Sequence, residues 1–473
     1  MSRKIEYDYI IVGGGPTGIT LATMLVETAS KTLLIESESS LGGNWKIDWA
    51  EGQYLTEHSP KVLLSSNHYF FDLLKTIKVT NLGLKKVYGN FGNIKVLSTM
   101  MRMLSLTDVY KLTKMVASYY LNPTTFDYHQ SLKEWVDKNA ISRKGVRFLQ
   151  TMTIVASNTY DKVCIGALVE YLTIDPGLFF DLVQLKDPED WIHKATDHLS
   201  SYDNITIRYD TRVTSVHEKG TVYTSSGNYK GHKIILATPV RATFSIVKQS
   251  SGALQKNWFS TMDEFEHFVD RSTYTGIGIQ FHFDERVPFS NEWCWSCFNE
   301  WSIIVINKEV TTKVVSKDPK VKSVWSCVIV DLDTKSTRLQ KTANECDTMD
   351  EIIDEVLHQL RRANGKEFRR PYKITHHKNI VRKNKKWESI HSSYANSIGK
   401  LPYKGQTVNN VYAVGPHNIG SFTIVEHAVK SAIIFGNQEG FNTVYKVHSF
   451  NYLFILLTII MSYITIYLVT NKM

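Results

Sequence analysis

The chain has 473 residues, 43% hydrophobic and 12% aromatic, with a formal net charge of +9. That length is ample for two intertwined domains with full cores, and no low-complexity tract or internal repeat interrupts it. Its five cysteines (Cys164, Cys294, Cys297, Cys327, Cys346) are odd in number and scattered, which excludes a disulfide framework.

In chain order, the first signal is an apolar strand, Tyr9 to Val12. It begins almost at once, so no signal or transit peptide is expected ahead of it. Gly13, Gly15 and Gly18 follow in the spacing G-x-G-x-x-G, with Pro16 and Thr17 between the last two, where a strand turns into a helix. The first glycine allows the tight turn, the second lets backbone approach a pyrophosphate, and the third lets the helix pack closely on the strand. A second strand, Thr32 to Ile35, ends in Glu36 and Ser37. An acid at that point accepts ribose hydroxyls and repels a 2′-phosphate, which argues against NADP.

Leu41-Gly42-Gly43-Asn44-Trp45 comes next. This second glycine pair resembles that of the flavin-containing amine oxidoreductase superfamily, which includes amine oxidases, phytoene desaturases and protoporphyrinogen oxidase, with some likeness to UDP-galactopyranose mutase. The resemblance implies noncovalent FAD, held by Gly13, Gly15, Pro16, Thr17, Gly18, Glu36, Ser37, Gly42, Gly43, Asn44 and Trp45. The other reading of Gly42-Gly43 is a bare turn. It also implies that the following segment, Tyr54 to Leu64, runs along the flavin, so Glu57, His58 and Lys61 are candidate polar groups at the ring. His58 could equally be a hydrogen-bonded turn residue fixed by Pro60.

The fold class implied is α/β: a Rossmann-like FAD-binding domain of glutathione-reductase type, interleaved with a mixed-sheet plus helical substrate domain, and a C-terminal transmembrane helix. Residues 1–70, 201–245 and 376–440 would form the FAD-binding domain. Residues 71–200 would be a helical substrate subdomain, with helices starting at Thr107-Asp108 and at the capping box Ser131-Leu-Lys-Glu134. Its methionines and tyrosines (Met100, Met101, Met103, Tyr119, Tyr120) would line an apolar tunnel or pack a core. In the returning segment, Arg212-Val213 and Lys233-Ile-Ile-Leu-Ala-Thr-Pro239 match the superfamily's pattern, and the resemblance implies that Val213 holds adenine through its backbone.

Residues 246–375 read as the substrate-domain sheet and helix, with strands at 276–283, 301–306 and 323–330 and a helix opening at Thr348-Met-Asp-Glu351. Cys294-Trp-Ser-Cys297 has redox or zinc-knuckle spacing but no second ligand pair, so no metal is expected. Between residues 361 and 386, eleven Lys and Arg face one acid, Glu367. That run suggests a solvated face or contact with anionic headgroups; nucleic acid is not expected, because no reading motif accompanies it.

The closing segment, Val408 to Asn418 and Ser421 to Ala432, resembles the superfamily's last strand, ribityl-side glycine and final helix. It implies Gly415, Asn418, Ile424 and Val425 as cofactor contacts. Pro416 stands where the superfamily has an aspartate, so His417 or Asn418 would take over its hydrogen bond. No cysteine lies within 380–430, so a covalent flavin is not expected. Last, residues 450–470 carry no charge, long enough for a single-pass tail anchor leaving residues 1–449 in the cytosol. The function implied is a membrane-anchored FAD-dependent oxidoreductase, removing hydride from an amine or lipid-like apolar small molecule, with His58, Lys61 and His417 at the reaction. The alternatives are a redox-neutral flavin isomerase or mutase, and a non-catalytic binder like the Rab GDP-dissociation inhibitors.

Overall fold

The computed structural model describes residues 6–64, 67–79, 85–87, 104–122, 124–155, 161, 163–173, 182–287, 294–296, 300–308, 316–364, 367–390, 393–394, 399–419, 425–441 and 445. The chain opens with β1 (Glu6–Val12), α1 (Pro16–Leu25) and β2 (Thr32–Ile35). A small ribbon, β3 (Asp48–Ala50) and β4 (Tyr54–Thr56), follows the second glycine pair, and α2 (His68–Thr76) follows the ribbon. Four helices come next: α3 (Leu106–Leu121), α4 (Leu132–Lys138), α5 (Arg143–Val155) and α6 (Ile165–Thr173).

The chain then returns as β5 (Ile205–Arg208), β6 (Val213–His217), β7 (Thr221–Thr224), β8 (Gly227–Leu236) and α7 (Val240–Lys248). A second sheet is built from β9 (Ile277–Phe283), β10 (Cys294–Ser296), β11 (Ile303–Asn307) and β12 (Ser323–Ile329), backed by α8 (Met349–Asn364) and completed by β13 (Lys373–His376). A hairpin, β14 (Ile380–Lys383) and β15 (Lys386–Ser389), precedes the closing strand β16 (Val411–Ala413) and α9 (Val425–Gln438).

The first sheet has the order β5-β2-β1-β8-β7-β6, with β16 alongside β8. β5, β2, β1, β8 and β16 run parallel, and β6 and β7 add antiparallel edges. Its strands are apolar on successive residues because both faces are covered. Ile11, Leu34 and Ile235 pack under α1, α2 and α9. Ile10, Val12, Leu33 and Leu236 pack under α7 with Phe265 and Phe268. The second sheet, β10-β11-β12-β9-β13, is antiparallel throughout and buries Ile352, Val356 and Leu360 of α8.

In the helical part, the Ser131–Glu134 box caps α4. α3 starts at Leu106, one residue before the expected point: Ser105 is its cap, and Asp108 accepts from the Ser105 amide. Of the residues named for a tunnel or a core, Tyr120 is exposed, and the Tyr119 hydroxyl donates to Glu170, which also accepts from Tyr128 and pairs with Lys400 at 2.7 Å. Met100, Met101, Met103 and Cys297 lie outside the described residues.

Two expectations change. The uncharged run 450–470 lies outside the described residues, and among the described residues no helix is long and apolar enough to cross a membrane. The longest of these, α3 and α8, have 16 residues each and span about 24 Å, short of a hydrocarbon core of about 30 Å. Both also carry charged residues. The described fold therefore contains no transmembrane helix, against the expected fold class and the single-pass anchor with its cytosolic orientation. The basic run 361–386 is also not one surface. Five of its eleven cations pair with acids outside the run: Arg362–Glu300 at 2.5 Å, Arg370–Asp354 at 3.3 Å, Lys373–Glu51 at 2.5 Å, Lys378–Glu38 at 3.1 Å and Arg382–Asp347 at 2.8 Å.

Candidate functional site

The turn from β1 into α1 is shaped by close approach. A Cβ on Gly18 would sit 1.9 Å from the Gly13 carbonyl oxygen, so only glycine lets α1 lie this near β1. Pro16 occupies the first turn of α1, where no amide hydrogen is needed, and leaves the remaining amides of that turn facing outward. The second glycine pair docks onto this turn. The Gly42 amide donates to the Gly14 carbonyl at 2.8 Å. Gly43 has φ +53, and a Cβ there would fall 3.1 Å from the Gly15 Cα. Two backbones stripped of side chains thus face each other.

Glu36, at the end of β2, is 7% exposed. Its carboxylate accepts from the amides of Gly14 at 2.7 Å and Glu38 at 2.9 Å and from the Ser37 hydroxyl at 3.1 Å. Trp45 is wedged against Phe70 and Trp191, with ring centroids 5.5 and 6.2 Å away.

A cavity of about 740 Å³ runs through these elements. Gly13, Gly15, Pro16, Thr17, Glu36, Ser37 and Val213 line it, with Thr211 and Arg212. Gly43, Asn44, Trp45, Gly415, His417 and Val425 line its course, and His58, Lys61, Asn67 and His377 also face it. Gly18 and Gly42 act from behind the wall, and Ile424 lies outside the described residues.

Asn418 is not a lining residue. Its side-chain oxygen accepts from the Gly415 amide at 2.7 Å and the Ser431 hydroxyl at 3.1 Å. Its nitrogen donates to the carbonyls of Leu401 at 2.8 Å and Ala413 at 3.0 Å. Both lone pairs and both hydrogens are spent on fixing the turn, so Asn418 has nothing left for a ligand. His417 is 1% exposed, and burial pushes its pKa down to about 3, so its ring is neutral at physiological pH.

Glu57 points away from the cavity. Its Oε1 lies 2.9 Å from the fully buried Lys308 ammonium and accepts from the Ser326 hydroxyl at 2.6 Å. Gln280 of β9 donates to the Glu57 carbonyl at 3.0 Å and accepts from its amide and from the Thr56 hydroxyl. These bonds tie the strap after β4 to the second sheet. Lys61 is 5% exposed and donates to the Asn44 carbonyl. Burial lowers its pKa to about 8, with Lys308 adding to the effect and Glu57 and Asp48 opposing it.

Sequence reasoning missed a charged cluster on the same wall. The Asp48 carboxylate lies 3.2 Å from His377 Nε2, 3.7 Å from Lys378 and 3.8 Å from Lys46. Burial works against its charge, but the His377 hydrogen bond and the two lysines outweigh it and hold the carboxyl below its usual range. His377 Nδ1 accepts from the Asn379 amide at 3.3 Å, so its proton sits on Nε2, toward Asp48. The ring of His58 meets that of His377 edge-on at 5.9 Å. The only signal in the sequence was His376-His377 at the end of a basic strand, masked by the charge around it. Among the described residues no group of acids, histidines and cysteines has the makings of a metal site.

Residues 11–77 match the family described as NAD(P)-binding Rossmann-like domain. Two curated relatives match part of the chain. UDP-galactopyranose mutase of Mycoplasma pneumoniae is 29% identical over 72 residues, 15% of this chain and 18% of that protein. Pseudooxynicotine dehydrogenase of Pseudomonas sp is 30% identical over 84 residues, 16% and 17%. The chain thus spans less than a fifth of the length of either relative.

Solved structures match far more of it. Putrescine oxidase bound to putrescine superposes with a TM-score of 0.60 at 12% identity, over 92% of this chain and 99% of that one. Cyclohexylamine oxidase of Brevibacterium oxydans does so with 0.59 at 12%, over 92% and 100%. Together, the amino-terminal match and the shared architecture give this chain a Rossmann-like dinucleotide-binding domain within the fold that putrescine oxidase and cyclohexylamine oxidase share.

Proposed function

We propose that the chain is an FAD-dependent oxidoreductase that removes hydride from an amine or another small molecule with a comparably activated C–H bond. The observation that carries this reading is the single cavity joining both glycine turns, Glu36 and Val213 to His58, Lys61 and His417. The residues fit an elongated dinucleotide: Gly15 and Gly43, without side chains, line the cavity beside Pro16 and Thr17 at the start of α1, where a helix N-terminus would take a pyrophosphate. Glu36 would accept the ribose hydroxyls and Val213 would hold adenine through its backbone. Bound there, the flavin would supply the hydride acceptor.

The chain's own contribution is positional. Trp45 lines the cavity and is held there by tilted and edge-on contacts with Phe70 and Trp191, which present an apolar backing on that side. Asn418 holds Gly415 in its turn, and neutral His417 offers a hydrogen-bonding edge without charge. An amine loses hydride from its neutral form, and the groups at hand to manage its proton are His58 and Lys61.

The test is anaerobic titration of the flavin-loaded protein with a panel of amines that includes putrescine and cyclohexylamine, the substrates named for two proteins of the same fold. Bleaching of the oxidised flavin band by at least one amine is expected. Turnover only after prior flavin reduction would mark a redox-neutral isomerase instead, and a native protein without flavin would mark a binder.

A further inference from the structure

We propose that Lys61 is an oxyanion site, which takes a carboxylate or phosphate oxygen of the ligand bound in the cavity. The proposal rests on the cavity being the ligand site and says which chemistry it accepts there.

Lys61 faces the cavity yet is 5% exposed, so its ammonium has almost no access to water. Among the described residues its side chain has a single hydrogen-bond partner, the neutral carbonyl of Asn44, and no carboxylate within ion-pair distance. An ammonium has three donors to satisfy. The acids nearby already hold other partners: Glu57 holds Lys308 and Ser326 through Oε1, and Asp48 holds His377, Lys378 and Lys46. Glu38 is shared between Lys46 at 3.9 Å and Lys378 at 3.1 Å. Four lysines therefore meet three carboxylates, and the surplus positive charge is the most deeply placed lysine that opens on the cavity. A buried ammonium without a counter-ion is costly, and an arriving oxyanion removes that cost. Burial lowers the pKa of Lys61, and an oxyanion beside it would favour its charged form. The same geometry gives an ammonium group no free carboxylate here, so a substrate amine would have to bind uncharged.

Two sources can supply the oxyanion: a phosphate of the cofactor, or a carboxylate on the substrate. The experiment separates them with Lys61→Met and Lys61→Arg in the full chain. FAD affinity is read from flavin fluorescence, and sodium benzoate is titrated into the FAD-loaded protein while the flavin absorbance is followed. If the substrate supplies the anion, Lys61→Met keeps its FAD affinity and loses benzoate binding at least tenfold. If the cofactor does, Lys61→Met loses FAD affinity at least tenfold, inorganic pyrophosphate competes with FAD for the parent, and benzoate leaves the spectrum unchanged. In either case Lys61→Arg restores part of the loss. In the unaltered protein, binding of the same anion weakens as pH rises through about 8, where Lys61 loses its proton.

FAD affinity and benzoate response both equal to the parent's in Lys61→Met would overturn the proposal. If the protein binds no FAD at all, the flavin reading fails by itself. The oxyanion site is then judged by calorimetric titration of the flavin-free protein with pyrophosphate and benzoate, where equal heats in parent and Lys61→Met would sink it.

Discussion

At the scale of single residues, burial settles what the sequence left open around Pro416. His417 and Asn418 were equal candidates to replace an aspartate, and nothing in their order along the chain separates them. The fold does: Asn418 turns inward and saturates its amide, while His417 faces the cavity. Asn418→Ala is therefore expected to act first on stability, removing several buried bonds at about 1 kcal/mol each and orphaning the Gly415 amide. A drop of about 2–4 kcal/mol in urea unfolding checks this; an unchanged midpoint would contradict it.

His417 and His282 together predict acid lability. Burial holds His417 at about 3 and His282 at about 4, so each ring stays neutral in the folded protein while the unfolded chain binds a proton near 6.5. This contribution is intact above about 6.5 and is lost as pH falls toward those lower values. Each histidine adds a slope of about 1.4 kcal/mol per pH unit within its window. Urea midpoints measured from pH 7 to pH 4.5 should fall faster for the parent than for His417→Asn, and parallel lines would count against it.

At the scale of elements, much was legible. The capping box Ser131–Glu134 opens α4 as read. The strand–turn–helix at Gly13 to Gly18 is readable because Gly13 and Gly18 answer close backbone approaches that the motif spacing signals. The start of α3 was misplaced because Thr107-Asp108 imitates a cap, although Ser105 and Asp108 already stood at box spacing. The basic run 361–386 could not be resolved in sequence, because its partners Glu38, Glu51, Glu300 and Asp347 come from distant segments. For the same reason Glu57 could not be separated from His58 and Lys61 until Lys308 and Ser326 were seen to claim it.

The contact between the two glycine turns makes its own prediction. A methyl at Gly43 would crowd Gly15 and sit on a left-handed backbone, so Gly43→Ala should weaken FAD at least tenfold, measured by flavin fluorescence. Gly252→Ala is the control, since a methyl there meets nothing within 4 Å. Equal affinity in both variants would mean that the turns do not frame the cofactor.

At the scale of the whole molecule, three stretches far apart in sequence, 6–35, 205–236 and 411–413, complete one sheet, and the residues between them form the second sheet and the helices. That interleaving was readable because the first stretch carries motifs with strict geometry and the last resembles a known closing segment. The reactive end was not, since it is assembled from β3, the strap after β4, β13 and the turn before α9, none of which has a motif of its own.

The central claim is that this cavity holds FAD without a covalent bond. The most direct measurement is the absorbance spectrum of the purified full chain, followed by acid precipitation. The account predicts flavin bands at close to one FAD per chain, with the yellow colour released into the supernatant. A colourless protein that also fails to take up added FAD would contradict it, and colour retained in the pellet would contradict noncovalent attachment.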